Sequence, residues 1–123
     1  MHQLELIANA IATQEGYFNT TRDLAQINNN PGNQRASVLN RLKDDKGFVK
    51  FMSPEEGFAC LITQLSIYVA RGYTLRQIVT AWAPPTGADG GNNTAAYLDF
   101  VAKATSINPD AKLLNIYTMQ KAG

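Results

Sequence analysis

At 123 residues the chain has the length of one domain with one hydrophobic core. Its 45% apolar and 17% charged content is an ordinary globular balance, which excludes a disordered composition. Eleven basic residues against ten acidic give a net charge of +1, scattered singly, so no field or basic patch draws in nucleic acid or an anionic membrane.

The first segment, "MHQLELIANAIA", is too polar for a signal peptide, carries Glu5, and contains the only histidine, His2, to which no role is given. No segment is apolar enough to span a bilayer. Leu4, Ile7, Ala8 and Ile11 recur at helical spacing and predict an amphipathic helix over residues 2–15, with Gly16 as its stop. A short helical turn is expected near 21–26, capped by Thr20 or Thr21. It runs into "NNNPGN", residues 28–33, where Pro31 and Gly32 form a turn and Asn30 is held extended by the proline.

"SVLNRL" and "GFVKFM", separated by "KDDK", read as a small hairpin of residues 37–42 against 48–52. "SPEE" then opens a helix with Ser53 as N-cap, Pro54 in the first position and Glu56 completing a capping box. That helix carries Phe58, Leu61, Leu65 and Tyr68 to Arg71 and stops at Gly72. Cys60 lies on it as a buried structural thiol; with one cysteine no intrachain disulfide forms. "TLRQ", Thr74 to Gln77, is a second capping box and starts a helix bearing Leu75, Ile78, Val79 and Trp82. "APPTGADGGNN", residues 83–93, is the longest loop, of a length that tends to carry function. Helices near 94–105 and 109–121 finish the chain. The expected class is mostly α (α+β): one helical domain over residues 1–123 with one small β-hairpin.

One carboxyl stands out. Glu15 closes an apolar helix just ahead of a loop crowded with side-chain amides. Apolar surroundings and the negative pole of a helix both disfavour a carboxylate, and an acid held neutral can protonate a glycosidic oxygen. Tyr17 and Phe18 would form its apolar wall; a solvated glutamate at a helix end is the bland alternative. Asn29, Asn30 and Asn33 suit the hydroxyl and acetamido groups of a sugar chain, while turn chemistry explains part of the run. Trp82 and Tyr97 offer flat faces to sugar rings, or to a core. Asn92 and Asn93 read as a helix cap first and as ligand contacts second. Too few histidines are present for a Ser-His-Asp triad or most zinc sites, and no metal or organic cofactor is expected.

"AIATQEGYF", "NNNPGN", "GFVKFMSPEEGFACL" and "RGYTLRQIVTAWAPPTGADGGNNTAAYLDFV", in this order, resemble the lysozyme-like domains related to lytic transglycosylases in bacteriophages and bacteria. The resemblance covers about residues 7–105. It implies a lysozyme-like fold acting on peptidoglycan glycan strands at the β-1,4 link between N-acetylmuramic acid and N-acetylglucosamine; a monomer is expected. It makes Glu15 the catalytic acid and Tyr97 the tyrosine that hydrogen-bonds it. Gly16 stands where soluble transglycosylases commonly carry serine, and their "GLMQ" stretch is absent.

A hydrolase usually needs a second carboxylate. Asp23, Asp44, Asp45 and Asp89 are the candidates; Asp44 and Asp45 are more simply turn formers, Asp23 more simply the first turn of a short helix, and Asp89 equally a turn residue, while Glu55 and Glu56 sit where a helix N-terminus favours the ionised form. Without a clear second carboxylate the balance tips to a transglycosylase, in which one glutamate acts twice. The competing classes are a non-catalytic glycan-binding or phage structural module and a plain helical interaction domain.

Overall fold

The computed structural model describes residues 3–85 and 93–113. They form five helices: α1 (Gln3–Gln14), α2 (Leu24–Ile27), α3 (Pro54–Ala70), α4 (Leu75–Trp82) and α5 (Thr94–Thr105). The chain is mostly helical. Among the described residues, pairing outside the helices is limited to two antiparallel bridges, Lys43 with Val49 and Thr74 with Lys112. Two compact units emerge, one of Ala8–Gln64 and one of Met1–Ile7 with Leu65–Gly123.

In the first unit α1 supplies Ala8, Ile11 and Ala12, all buried, and α3 supplies Cys60 and Leu61. Each fully buried leucine or isoleucine side chain contributes roughly 1.5–3 kcal/mol. The expected stop of α1 is present: Gly16, at φ +86°, donates to Thr13 O, and Tyr17 N donates to Ala12 O. That is a Schellman closure, and it demands the left-handed backbone that glycine adopts freely. A Cβ at Gly16 would also collide with the Asp23 carboxylate.

Two local readings shift. The N-cap of α2 is Asp23, whose amide donates to Gln26 Oε1, and not Thr20 or Thr21. The hairpin is reduced to a bridged turn: Lys50 N donates to Leu42 O and Asp44 N to Phe48 O, while residues 37–41 form no strand. Residues 48–51 explain why. Val49 N donates to Gln34 O and Phe51 N to Asn28 O, so one edge of this segment is committed to the asparagine loop. Val38, Leu39 and Leu42 are exposed and give the predicted first strand no face to bury.

Helix α3 begins as expected, with Ser53 Oγ accepting from Glu56 N. Glu56 does not bond back to Ser53; its carboxylate takes Met52 N–H and a two-pronged contact from Arg41. Gly57 allows the close approach that follows, since a Cβ there would run into the Asn29 carbonyl and the Pro31 ring. The second turn of α3 and the loop backbone are therefore in contact.

The second unit packs α4 against α5 and buries Leu65, Val69, Leu75, Ile78, Val79, Leu98 and Val101. Thr74 and Gln77 make the reciprocal capping box that "TLRQ" predicts. Asn93 caps α5 by accepting from Ala96 N. The described part of the expected final helix, residues 109–113, is a turn instead. Its donors and acceptors are used locally and by α4: Asp110 N donates to Asn108 Oδ1, and Arg76 holds Pro109 O and the Asp110 carboxylate. Residues 114–121 of that expectation lie outside the described residues.

Candidate active site

Glu15 stands one residue past the end of α1, its own amide still bonded to Ile11 O, and its side chain is half-buried. The asparagine loop reaches it: Asn33 Nδ2 donates to Glu15 Oε1 at 3.2 Å. Acid and amide come together across eighteen residues of sequence.

Four asparagines share the loop, and they do different things. Asn28 is buried, and its Nδ2 donates to Asp44 Oδ2 at 2.9 Å. Asn29, at φ +51°, donates to Phe51 O. Asn30 has no exposed surface; its Nδ2 donates to both Gln34 O and Val49 O, and its Oδ1 accepts from Gln34 N, all at 2.9 Å. A carboxamide so occupied cannot contact a glycan. Asn30 belongs to the scaffold, and the donor end of Asn29 is spent on it too. Asn33, also left-handed at φ +47°, is the one whose side chain addresses the acid.

An aromatic cluster follows Glu15 directly. Tyr17 meets Phe18 and Phe58 edge-to-face, each at 5.3 Å between ring centres, and Phe18 lies over Phe58 at 6.4 Å. Phe18 is 56% exposed, so the cluster presents a flat apolar face to solvent. Gln26 Nε2 ties this segment down by donating to Tyr17 O and Asn19 O, each at 2.7 Å. Burial, with the Glu55 charge adding to it, pushes the Tyr17 hydroxyl up from its ordinary value, which leaves it a neutral donor and no base. Sequence reasoning proposed Tyr17 and missed Phe58, which reads on its own only as another apolar residue of a helix.

The remaining candidates are placed as follows. Asp23 accepts from Asn19 Nδ2 and Thr21 Oγ1. Burial disfavours ionised Asp44, but hydrogen bonds from Phe48 N, Asn28 Nδ2, Lys46 N and Gly47 N outweigh it and hold that carboxyl below its usual range. Asp44 is a turn anchor and a poor general acid. Asp45 is exposed in the same turn. The Arg41 guanidinium likewise holds Glu56 below the carboxylate range. In the other unit Tyr97 is buried on α5, Trp82 is half-buried at the last position of α4, and Asn93 is an exposed cap. Thr94 Oγ1 donates to Ala83 O and ties the two ends of the long loop together. Asn92 and Asp89 lie outside the described residues.

Among the described residues no group of three His, Cys, Asp or Glu side chains is placed to hold a metal ion, and no helix is long and apolar enough to cross a membrane. No protein-family model, no curated protein and no solved structure matches the chain.

Proposed function

We propose that the chain cleaves peptidoglycan at the β-1,4 bond between N-acetylmuramic acid and N-acetylglucosamine, with Glu15 as the acid. The observation that carries this reading is the Asn33 contact on Glu15 Oε1, made by a loop whose other asparagines are spent on rigidity. A helix-end glutamate with no task needs no such partner. The exposed ring of Phe18, with Tyr17 and Phe58 behind it, offers an apolar platform to the face of a sugar.

Protonated Glu15 gives its proton to the glycosidic oxygen as the C1–O bond of the muramic residue breaks. The carboxylate so formed takes the proton of the muramic C6 hydroxyl while that oxygen bonds to C1. The products are a 1,6-anhydro end and a free 4-hydroxyl, with no water consumed. One carboxyl suffices for both halves, which fits a unit where Asp23 and Asp44 are held by hydrogen bonds of their own. The resemblance adds Tyr97 to the machinery, and its hydroxyl is testable alone in Tyr97→Phe.

The test is clearing of purified, insoluble peptidoglycan by the wild type and by Glu15→Gln. Clearing by the first and not by the second is expected. Equal clearing by both removes Glu15 from the chemistry, and binding without clearing by the wild type makes the domain a glycan-binding module.

A further inference from the structure

Asn33 carries one feature that glycan binding does not explain. Its Nδ2 donates to Glu15, yet its Oδ1 is buried and has no hydrogen-bond partner among the described residues. A buried carbonyl oxygen without a partner is costly, and native structures keep few of them. The residue is also fixed: its amide donates to Asn30 O, and its backbone sits in the left-handed region that asparagine tolerates better than most residues. Asn30, which accepts that bond, is itself locked by three hydrogen bonds.

We propose that Asn33 is a positioning residue for Glu15 whose carboxamide serves both protonation states of the acid. This rests on the cleavage reading, in which Glu15 must give a proton and then take one. With Glu15 ionised, Nδ2–H donates to the carboxylate. With Glu15 protonated, a half-turn about the terminal torsion brings Oδ1 round to accept the acid's O–H. The two ends of a carboxamide have nearly the same shape, and this torsion is close to two-fold, so the exchange needs no backbone movement. Among the described residues Oδ1 has no partner, so the turn breaks no second hydrogen bond there. A lysine or arginine here would favour only the carboxylate, and a second carboxylate only the acid.

Three other carboxylates of this unit have side-chain partners of their own, and Asp45 is exposed in its turn. Asp23 is held by Asn19 and Thr21, Asp44 by Asn28 and the turn amides, and Glu56 by Arg41, while Glu55 is exposed and acts on Tyr17.

The experiment follows the side-chain amide of Asn33 by proton–nitrogen NMR while Glu15 is titrated through its carboxyl carbon. Both Asn33 amide protons are expected to shift with the same midpoint as Glu15, and the transition is expected to vanish in Glu15→Gln. Amide signals that stay flat while Glu15 titrates overturn the proposal. Two variants give a functional readout without strain. Asn33→Gly accepts the positive φ and deletes the carboxamide; Asn33→Asp keeps the shape and sets a second carboxyl against the first. Clearing is expected to fall at least tenfold in both. In Asn33→Asp the alkaline limb of the clearing profile should also move to higher pH, because two carboxyls sharing a site hold a proton more tightly. Unchanged clearing and an unmoved limb overturn the role of Asn33. A wild type that never clears murein, with the amide still following Glu15, sinks the cleavage reading alone.

Discussion

Asn30 is the most fully bonded side chain of the asparagine loop, and removing it has a calculable cost. Asn30→Ala deletes two bonds from Nδ2, to Gln34 O and Val49 O, and the acceptor of Gln34 N–H, all inside a region with no solvent to replace them. An orphaned buried amide costs about 1–3 kcal/mol, and two lost donor bonds with a small void bring the total to about 3–5 kcal/mol. For a chain of this length the unfolding entropy makes each kcal/mol worth about 4 °C, so the melting temperature should fall by about 12–20 °C. Asn30→Asp separates the donor from the acceptor. The carboxylate still accepts from Gln34 N but faces two carbonyl oxygens, so its pKa in the fold is raised above the unfolded value of ~3.9. A raised acid stabilises the fold below that unfolded value and loses the benefit as pH rises. Asn30→Asp should therefore sit closest to the wild type near pH 4 and furthest below it at pH 7. Thermal melts by circular dichroism at the two pH values measure both. A drop under about 4 °C in Asn30→Ala, or an Asp variant that gains relative stability with pH, would refute the view of Asn30 as the loop's internal brace.

Gly16→Ala forces an ordinary residue into left-handed backbone and into the Asp23 carboxylate; at least about 1–2 kcal/mol should be lost in urea unfolding, and a neutral result contradicts the Schellman closure. Asp44, Glu56 and Asp110 all have carboxyls held below their usual values. Their stabilisation is present above the unfolded pKa and drains as pH falls through the folded one, so the melting temperature should hold from neutral to about pH 5 and drop below about pH 4. Asp44→Asn should flatten part of that acid limb, and an acid limb identical to the wild type's would count against the turn anchor. Trp82→Ala should weaken binding to insoluble murein several-fold while costing under about 8 °C in melting temperature; a stability collapse with binding intact returns Trp82 to packing.

What was legible in the sequence was local. The caps Ser53, Thr74 and Asn93 and the stops Gly16 and Gly72 are fixed by the few residues around them, and the structure has each in place. The loop's turn was readable from Pro31 and Gly32. The partners of its asparagines were not, because Asn28, Asn29 and Asn30 reach sixteen, twenty-two and nineteen residues along the chain, mostly to backbone atoms that carry no residue signature. Asparagine is usually a surface residue, so nothing marked Asn30 as buried or Asn33 as the acid's partner. The hairpin was over-read for a related reason. β-propensity measured the residues of 37–42 but not whether a face was waiting to cover Val38 and Leu42.

The mass of the soluble fragments released from purified murein decides whether Glu15 donates and then reclaims the proton. The wild type is expected to release muropeptides lighter by one water than their hydrolytic counterparts, and Glu15→Gln, folded to the same melting temperature, is expected to release none. Fragments freed equally by both proteins, or none freed by the wild type, would contradict that role of Glu15.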